Sequence, residues 1–213
     1  LHMRIFLPES RLLPEHPAPA AFDDCLAVWR QMIVRAEVLR LDATKILLYG
    51  ESAGGALAAG MAQQLLAECD VRPVGQLLIY PVLDDRCGRY ASMEQSVDVA
   101  WPRSSNEQMW REYLRDITSP AAPLVPLRTD YSALAGLPPA YIEPQEIDIL
   151  HDEAVTYAEA LTAAGITVQL NEVSGSYHGF DAESDNAFVS RVIQRRLCAM
   201  KTMLESSSRQ PRP

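Results

Sequence analysis

Short apolar runs of strand length alternate with longer segments of helical spacing along most of this chain. The strand-like runs cover residues 4–7, 45–49, 76–80, 140–143 and 167–173. The helix-like segments cover residues 21–39, 53–66, 152–164 and 187–204. Parallel strands need crossover connections, which are usually helices, so this alternation predicts an α/β fold in which helices flank a buried, mostly parallel sheet.

The segment 84–137 interrupts this alternation. It contains no strand-like run, but it holds Trp101, Trp110, Tyr113 and the proline-rich stretch SPAAPLVPL. Long insertions in compact domains are usually lids or binding loops, and an ordinary surface excursion is the alternative. We therefore expect core parts at 1–83 and 138–204, a helical, lid-like insertion at 84–137, and a disordered, serine-rich tail at 205–213.

The balance of charge narrows the range of partners. The 213 residues carry a formal net charge of -9, with 48% hydrophobic and 22% charged residues. Nucleic acids and anionic membrane surfaces require a clustered basic field, so we expect a small neutral molecule as the partner instead. The four cysteines form no CxxC pair, and no apolar run has the roughly 18 residues of a membrane span. These features predict a cytoplasmic protein with free thiols, no metal site and no membrane contact.

The stretch GESAGG, residues 50–55, contains the pattern G-x-S-x-G between a predicted strand and a predicted helix. In that setting the pattern predicts a nucleophile elbow, a sharp turn that lifts a serine hydroxyl out of the sheet edge. The strained turn needs small neighbours, which Gly50, Gly54 and Gly55 supply, while Glu51 precedes the serine. Ser52 is therefore the candidate nucleophile.

A serine needs a base to take its proton, and four histidines are available. His2 and His16 precede the serine, and His151 is expected at the N-terminal end of a helix. His178 lies in SGSYHGFD, after the last predicted strand. Hydrolases with this serine motif run serine, acid, histidine along the chain, so His178 is the predicted base.

The acid that orients the histidine is expected after the penultimate strand. The stretch YIEPQEIDILHDEA offers Glu143, Glu146, Asp148, Asp152 and Glu153. Asp152 and Glu153 suit the N-terminal turn of a helix, and Glu143 suits the end of a strand. Asp148, between two isoleucines, is the preferred acid and Glu146 the second choice, while a simple loop or cap role for Asp148 stays open.

Several stretches together resemble the hormone-sensitive-lipase-like branch of the α/β-hydrolases, the family IV carboxylesterases. LLPEHPAPAAFDD, GESAGGALAA, QLLIYPVLD, GLPPAYIEPQEIDILHDEA and YHGF occur in the order of the family's motifs and extend over nearly the whole chain. The resemblance implies an α/β-hydrolase fold and two-step ester hydrolysis by Ser52, Asp148 and His178, with the amide of Ala53 in the oxyanion hole. It also implies no metal or organic cofactor and a homodimer through strand 168–173. The modest size of the insertion favours small, short-acyl ester substrates.

One departure from the family pattern bears on activity. The family's HGGG loop, which supplies further oxyanion donors, is absent from these residues, as is a strand expected between residues 4–7 and 45–49. A gap inside a parallel sheet leaves buried backbone groups unpaired, so we expect a longer protein whose N-terminal portion is not in this sequence. A second chain in the gap and a rearranged sheet are the alternatives. Smaller departures are Glu51 in place of aspartate and His151 in place of arginine.

Two other functions are compatible with the sequence. A degenerate hydrolase that binds a ligand without catalysis is favoured by the missing oxyanion loop, and the retention of Ser52, Asp148 and His178 argues against it. An inactive fragment of a longer esterase is the second alternative. Each lost oxyanion donor costs about 10²- to 10³-fold in rate, so we expect these residues alone to form a poor esterase.

Overall fold

The computed structural model describes residues 3–68, 71–94, 100–182 and 186–207. Its α-helices are α1 (Ala20–Val34), α2 (Ala36–Leu39), α3 (Ala53–Glu68), α4 (Arg103–Tyr113), α5 (His151–Ala163) and α6 (Ala187–Ser207). Its strands are β1 (Leu47–Glu51), β2 (Gly75–Ile79), β3 (Ala140–Glu143), β4 (Gln145–Ile147), β5 (Val168–Leu170) and β6 (Val173–Tyr177). Short 3-10 helices lie at Cys87–Arg89, Ala91–Glu94, Pro126–Arg128, Tyr131–Leu134 and Phe180–Ala182. This alternation confirms the predicted α/β fold class.

A four-stranded parallel sheet in the order β1-β2-β3-β5 forms the centre of the fold. At the ends of three strands, Glu51 of β1 lies beside Ile79 of β2, and Ile79 lies beside Glu143 of β3. The carboxyl ends of the parallel strands therefore meet at one edge of the sheet. In open α/β sheets, this is the edge at which ligands bind.

The predicted strand at residues 4–7 is wrong. This stretch is irregular and pairs with no strand among the described residues, and Ile5 and Leu7 are 78% and 86% exposed. A strand needs backbone partners and a buried face, and this stretch has neither. The main sheet ends at β1, so the expected gap between residues 4–7 and 45–49 does not arise.

The predicted strand at residues 167–173 divides into β5 and β6. A strand that the sequence did not predict, β4, pairs with β6 in a separate two-stranded parallel sheet. Pro144 ends β3 because proline has no backbone N–H to donate to a ladder. The chain continues directly as β4, and the carbonyl of Pro144 accepts the N–H of Val173. The small sheet thus extends the edge at which the main strands end.

Helices cover both faces of the main sheet. In β2, Leu77 and Ile79 pack against the side of α6 that carries Val192, whereas Leu78 packs with Leu65 of α3. Successive residues of a strand point to opposite faces, so a strand covered on both sides must be apolar throughout. All residues of the run GQLLI are buried, and Gln76 is the one polar residue among them.

The insertion 84–137 contains α4 and several 3-10 helices, and it packs on the core through an apolar cluster. The buried members are Val82, Cys87, Tyr90, Met93, Trp110, Val125, Ile149 and Leu150. Two hydrogen bonds of Ser92 stabilise this contact. Its N–H donates to the carboxylate of Asp152, and its hydroxyl donates to the carbonyl of Ile149. The insertion is therefore held against the loop that precedes α5 and against the first turn of that helix.

The largest differences from the predicted helices concern the first and the last of them. The helix expected at 21–39 divides between α1 and α2 at Arg35. The last helix, α6, continues to Ser207 and so enters the segment 205–213 that was predicted to be disordered. Residues 208–213 lie outside the described residues.

Three of the four cysteines, Cys25, Cys87 and Cys198, are free thiols, and Cys69 lies outside the described residues. Within the described ranges, none of the helices combines the length and the apolar character needed to cross a bilayer.

Candidate active site

Ser52 occupies the turn between β1 and α3, where the sequence predicts a nucleophile elbow. Its φ of 53° lies in the left-handed region that residues other than glycine rarely adopt. The N–H of Ser52 donates to the carbonyl of Ile79 at 2.9 Å, and its own carbonyl accepts the N–H of Val82 at 3.1 Å. Strand β2 and the chain after it thus hold the serine in its strained conformation.

The glycines around Ser52 differ in their steric role. A Cβ on Gly50 would lie 2.0 Å from the carbonyl oxygen of Gly54, and a Cβ on Gly55 would lie 2.6 Å from the Cβ of Pro81. A Cβ on Gly54 would meet nothing within 4 Å. Gly50 and Gly55 therefore allow the close approaches of the elbow, whereas the steric requirement predicted for Gly54 is not found.

His178 and Asp148 continue a chain of hydrogen bonds that begins at Ser52. The Oγ of Ser52 lies 2.9 Å from Nε2 of His178, and Nδ1 of His178 lies 2.8 Å from Oδ2 of Asp148. Only 1% of the Asp148 side chain is exposed, and its Oδ1 accepts the N–H of Leu150 at 3.1 Å. The structure therefore brings the predicted nucleophile, base and acid together in the predicted order.

The small sheet explains why the acid and the base are neighbours. Strand β4 ends at Ile147, directly before Asp148, and β6 ends at Tyr177, directly before His178. Ile147 and Tyr177 are register partners in this sheet. The two side chains thus leave paired strands side by side, and Gly179, at φ 72°, supplies the left-handed turn that follows the histidine.

The other four acids considered from the sequence bind elsewhere. Their partners are Arg196 for Glu143, Ser174 and Gly175 for Glu146, His151 and Ser92 for Asp152, and the N–H of Leu83 for Glu153. Among the described contacts, Asp148 is the acid that reaches His178. The tertiary contacts therefore favour Asp148 over the second choice, Glu146.

His16 and His151, the other histidines among the described residues, lie outside this chain of hydrogen bonds. The ring of His151 lies between Oδ1 of Asp152, at 2.9 Å, and Oε2 of Glu172, at 3.0 Å. Burial alone lowers the pKa of His151, but the hydrogen bonds and charges of Asp152 and Glu172 outweigh it, so the pKa lies above its ordinary value. His16 is exposed, and His2 lies outside the described residues.

Comparison with known proteins identifies the family to which this fold belongs. A family profile described as alpha/beta hydrolase fold matches residues 1–182. The chain belongs to the α/β-hydrolase family. Among solved structures, a bacterial heroin esterase superimposes on this hydrolase with a TM-score of 0.86 and 34% sequence identity, covering 92% of this chain and 63% of that chain.

The curated relatives of this α/β-hydrolase carry esterase names. Ethyl acetate hydrolase of Pseudomonas putida is 35% identical over 173 residues, and the match covers 80% of this chain and 54% of that protein. Carboxylesterase NlhH of Mycobacterium tuberculosis is 36% identical over 178 residues, with 81% and 54% covered. These relatives confirm the predicted place in the hormone-sensitive-lipase-like branch. The chain spans about half the length of the curated relatives it matches.

Two aromatic rings of the hydrolase flank the imidazole of His178, and the sequence did not mark either as a site residue. The ring of Tyr80, directly after β2, lies 4.7 Å from the imidazole, centroid to centroid, and the ring of Trp101 lies 6.2 Å away and nearly parallel. The indole N–H of Trp101 donates to Asn106 at 3.1 Å. The sequence predicts Tyr80 as the last residue of a strand, and no periodic pattern marks Trp101.

A buried acid near Asp148 affects the electrostatics of the hydrolase site. Glu153 is fully buried, and its Oε1 accepts the N–H of Leu83 at 2.6 Å. Burial raises the pKa of Glu153 well above its ordinary range; the hydrogen bond from Leu83 opposes this, and the charges of Asp84 and Asp148 add to it. The charge of Asp148 thus disfavours the ionised form of Glu153.

The arrangement suits nucleophilic chemistry assisted by a base. The imidazole of His178 can take the proton of Ser52, and the carboxylate of Asp148 can stabilise the imidazolium that forms. Within the ranges that the structure describes, no group of three or more His, Cys, Asp or Glu side chains has the arrangement of a metal site.

Proposed function

We propose that the protein is a serine carboxylesterase that acts through Ser52, His178 and Asp148. The observation that carries this proposal is the pair of hydrogen bonds, 2.9 Å and 2.8 Å long, that joins the three side chains at a strained elbow. The esterase names of the relatives support it. A ligand-binding protein without catalysis has no need of this geometry, so the esterase is favoured over that alternative.

In this mechanism, Oγ of Ser52 attacks the ester carbonyl while Nε2 of His178 takes its proton. Asp148 holds Nδ1 of the ring and stabilises the positive charge. The protonated Nε2 then donates to the leaving alcohol, an acyl-enzyme remains on Ser52, and a water activated by His178 releases the acid. The backbone N–H of Ala53, the first residue of α3, serves as an oxyanion donor.

We assign small, short-acyl esters as the substrates. One relative is named for ethyl acetate, an ester of this class. The insertion 84–137 acts as a lid in this proposal, because its Trp101 lies against the imidazole that protonates the leaving alcohol. Bulky alcohol groups would meet this ring first.

We also propose a homodimer through residues 168–173. Strand β5 lies at the end of the main sheet opposite β1, and Leu170 is 43% exposed. An edge strand presents unpaired N–H and C=O groups that a second strand can bind. Sedimentation analysis is expected to show a dimer that Leu170→Lys weakens; a wild-type monomer contradicts this part of the proposal.

The esterase is tested by intact mass after treatment with a fluorophosphonate, beside hydrolysis of p-nitrophenyl acetate. We expect one adduct per wild-type molecule, and we expect Ser52→Ala to abolish both the adduct and the turnover. Ser190→Ala, which changes an exposed serine on α6, is the matched control and should label like the wild type. A folded wild-type protein that neither labels nor turns over contradicts the proposal.

A further inference from the structure

The loop that carries His178 is tied to two distant parts of the fold through Asp181. Asp181 comes three positions after His178, in the 3-10 helix Phe180–Ala182. Its Oδ2 accepts a hydrogen bond from Nη1 of Arg196 at 2.5 Å, and its Oδ1 accepts one from the hydroxyl of Tyr80 at 2.9 Å. Arg196 belongs to α6 and Tyr80 follows β2, so one carboxylate joins three segments that are remote in sequence.

Arg196 provides a fixed anchor for this carboxylate. The Arg196 side chain is 5% exposed, and its Nη2 donates at 2.6 Å to Glu143, which is fully buried at the end of β3. Burial alone lowers the pKa of Arg196, but the hydrogen bonds and charges of Glu143 and Asp181 outweigh it and raise the pKa. The planar guanidinium, which binds both carboxylates, thus holds α6, β3 and the His178 loop in one arrangement.

Tyr80 connects this anchor to the imidazole. Tyr80 is 5% exposed and has a φ of 35°, and its N–H donates to the carbonyl of Glu143 at 2.8 Å. Both its backbone and its hydroxyl are therefore held, while its ring lies 4.7 Å from the ring of His178. Glu51 also faces the hydroxyl, but its Oε2 is farther away, at 3.3 Å. Asp181 is therefore the nearer acceptor of this hydroxyl.

We propose that Tyr80, Asp181 and Arg196 form a clamp that positions His178 for the reaction. These residues act on the reaction through His178, so they are positioning residues. Misplacing a catalytic group by about 1 Å can cost about 10²-fold in rate. That kinetic consequence rests on the proposed esterase function, whereas the placement of the ring does not.

Two variants separate positioning from simple stabilisation. Tyr80→Phe removes the hydroxyl that binds Asp181 and keeps the ring against His178. Tyr141→Phe is the matched control: Tyr141 is fully buried, and it donates its hydroxyl at 2.6 Å to Glu143, on the strand side of Arg196. The same atom is removed from the same buried network, once beside the His178 loop and once away from it.

The first readout is the ¹H NMR signal of the Nδ1 proton between His178 and Asp148, in protein labelled with ¹⁵N-histidine, which requires no turnover. The second is the rate constant of fluorophosphonate labelling. We expect Tyr80→Phe to shift or broaden the signal and to slow labelling about tenfold or more, because the base is displaced. Tyr141→Phe is expected to match the wild type in both readouts. Asp181→Asn should follow Tyr80→Phe, and it decides the question if Tyr80→Phe does not fold.

Equal NMR signals in Tyr80→Phe and Tyr141→Phe overturn the clamp, whether both match the wild type or both differ from it. A wild-type protein that does not label contradicts the esterase function instead. In that case the NMR comparison alone decides whether the clamp exists. The two failures are therefore distinguishable.

Discussion

Replacing Gly50 by alanine is expected to break the elbow. A Cβ at this position would lie 2.0 Å from the carbonyl oxygen of Gly54, 2.4 Å from its carbonyl carbon and 2.7 Å from the nitrogen of Gly55. Real Cβ atoms essentially never come closer than 3.0 Å to such neighbours. All three atoms belong to the backbone of α3, so no side chain can rotate away, and β1 or α3 must shift by about 1 Å.

Overpacking a core usually costs about 1 to 3 kcal/mol of unfolding free energy, and occasionally more. Because the clash is between backbone segments, we expect Gly50→Ala to cost about 3 kcal/mol or more. The same shift displaces Ser52, so fluorophosphonate labelling should slow as well. Gly54→Ala is the matched control: its Cβ would meet nothing within 4 Å. Alanine stabilises a helix by up to about 1 kcal/mol relative to glycine, so this variant should be as stable as the wild type or more stable.

Urea unfolding followed by circular dichroism measures all three proteins. The midpoint is expected to fall for Gly50→Ala and to stay or rise for Gly54→Ala. A Gly50→Ala protein with the wild-type midpoint and the wild-type labelling rate would refute the steric argument. So would an equal loss of stability in both variants.

Three further predictions concern Asp148, His151 and the apolar core. Asp148→Asn is expected to reduce turnover about 10⁴-fold without unfolding the protein, because His178 then adopts the wrong tautomer. The rate of ester hydrolysis measures the loss of turnover, and a thermal melt measures whether the fold is kept. His151→Gln should lower the melting temperature more at about pH 5.5 than at about pH 8.5, because the pKa of His151 is raised in the folded protein. Such a histidine stabilises the fold fully below its ordinary pKa of about 6.5, and the stabilisation is lost as the pH rises through the raised pKa. Equal losses at both pH values would contradict this. Leu65→Ala should cost about 2 to 5 kcal/mol in urea unfolding, because Leu65 is fully buried in the core between α3 and the sheet.

The residues of the candidate site were predictable because they follow the order of motifs along the chain. Ser52 lies in a local pattern with strand and helix flanks, and His178 is the one histidine that follows both the serine and the acidic stretch. The choice between Asp148 and Glu146 was harder, since the two acids are two positions apart. The pairing of β4 with β6 decides it, and such pairing between remote segments is not visible in a periodic pattern.

The features that the sequence mispredicts or misses have a common physical cause. Residues 4–7 have the composition of a strand, but a strand also needs partners, and composition does not supply them. The contact of Trp101 with His178 and the bond of Arg196 to Asp181 likewise join segments far apart in the chain. Periodicity reports which face of an element is buried, and it does not report what that face meets.

The separation of Ser52 and His178 by 126 positions also has a consequence for synthesis. The elbow of Ser52 is synthesised before His178 and before the Arg196 that anchors its loop. Contacts between such remote residues form only after the intervening chain has been made and folded. A nascent chain that ends before His178 therefore holds Ser52 without the imidazole that contacts its hydroxyl in the folded protein.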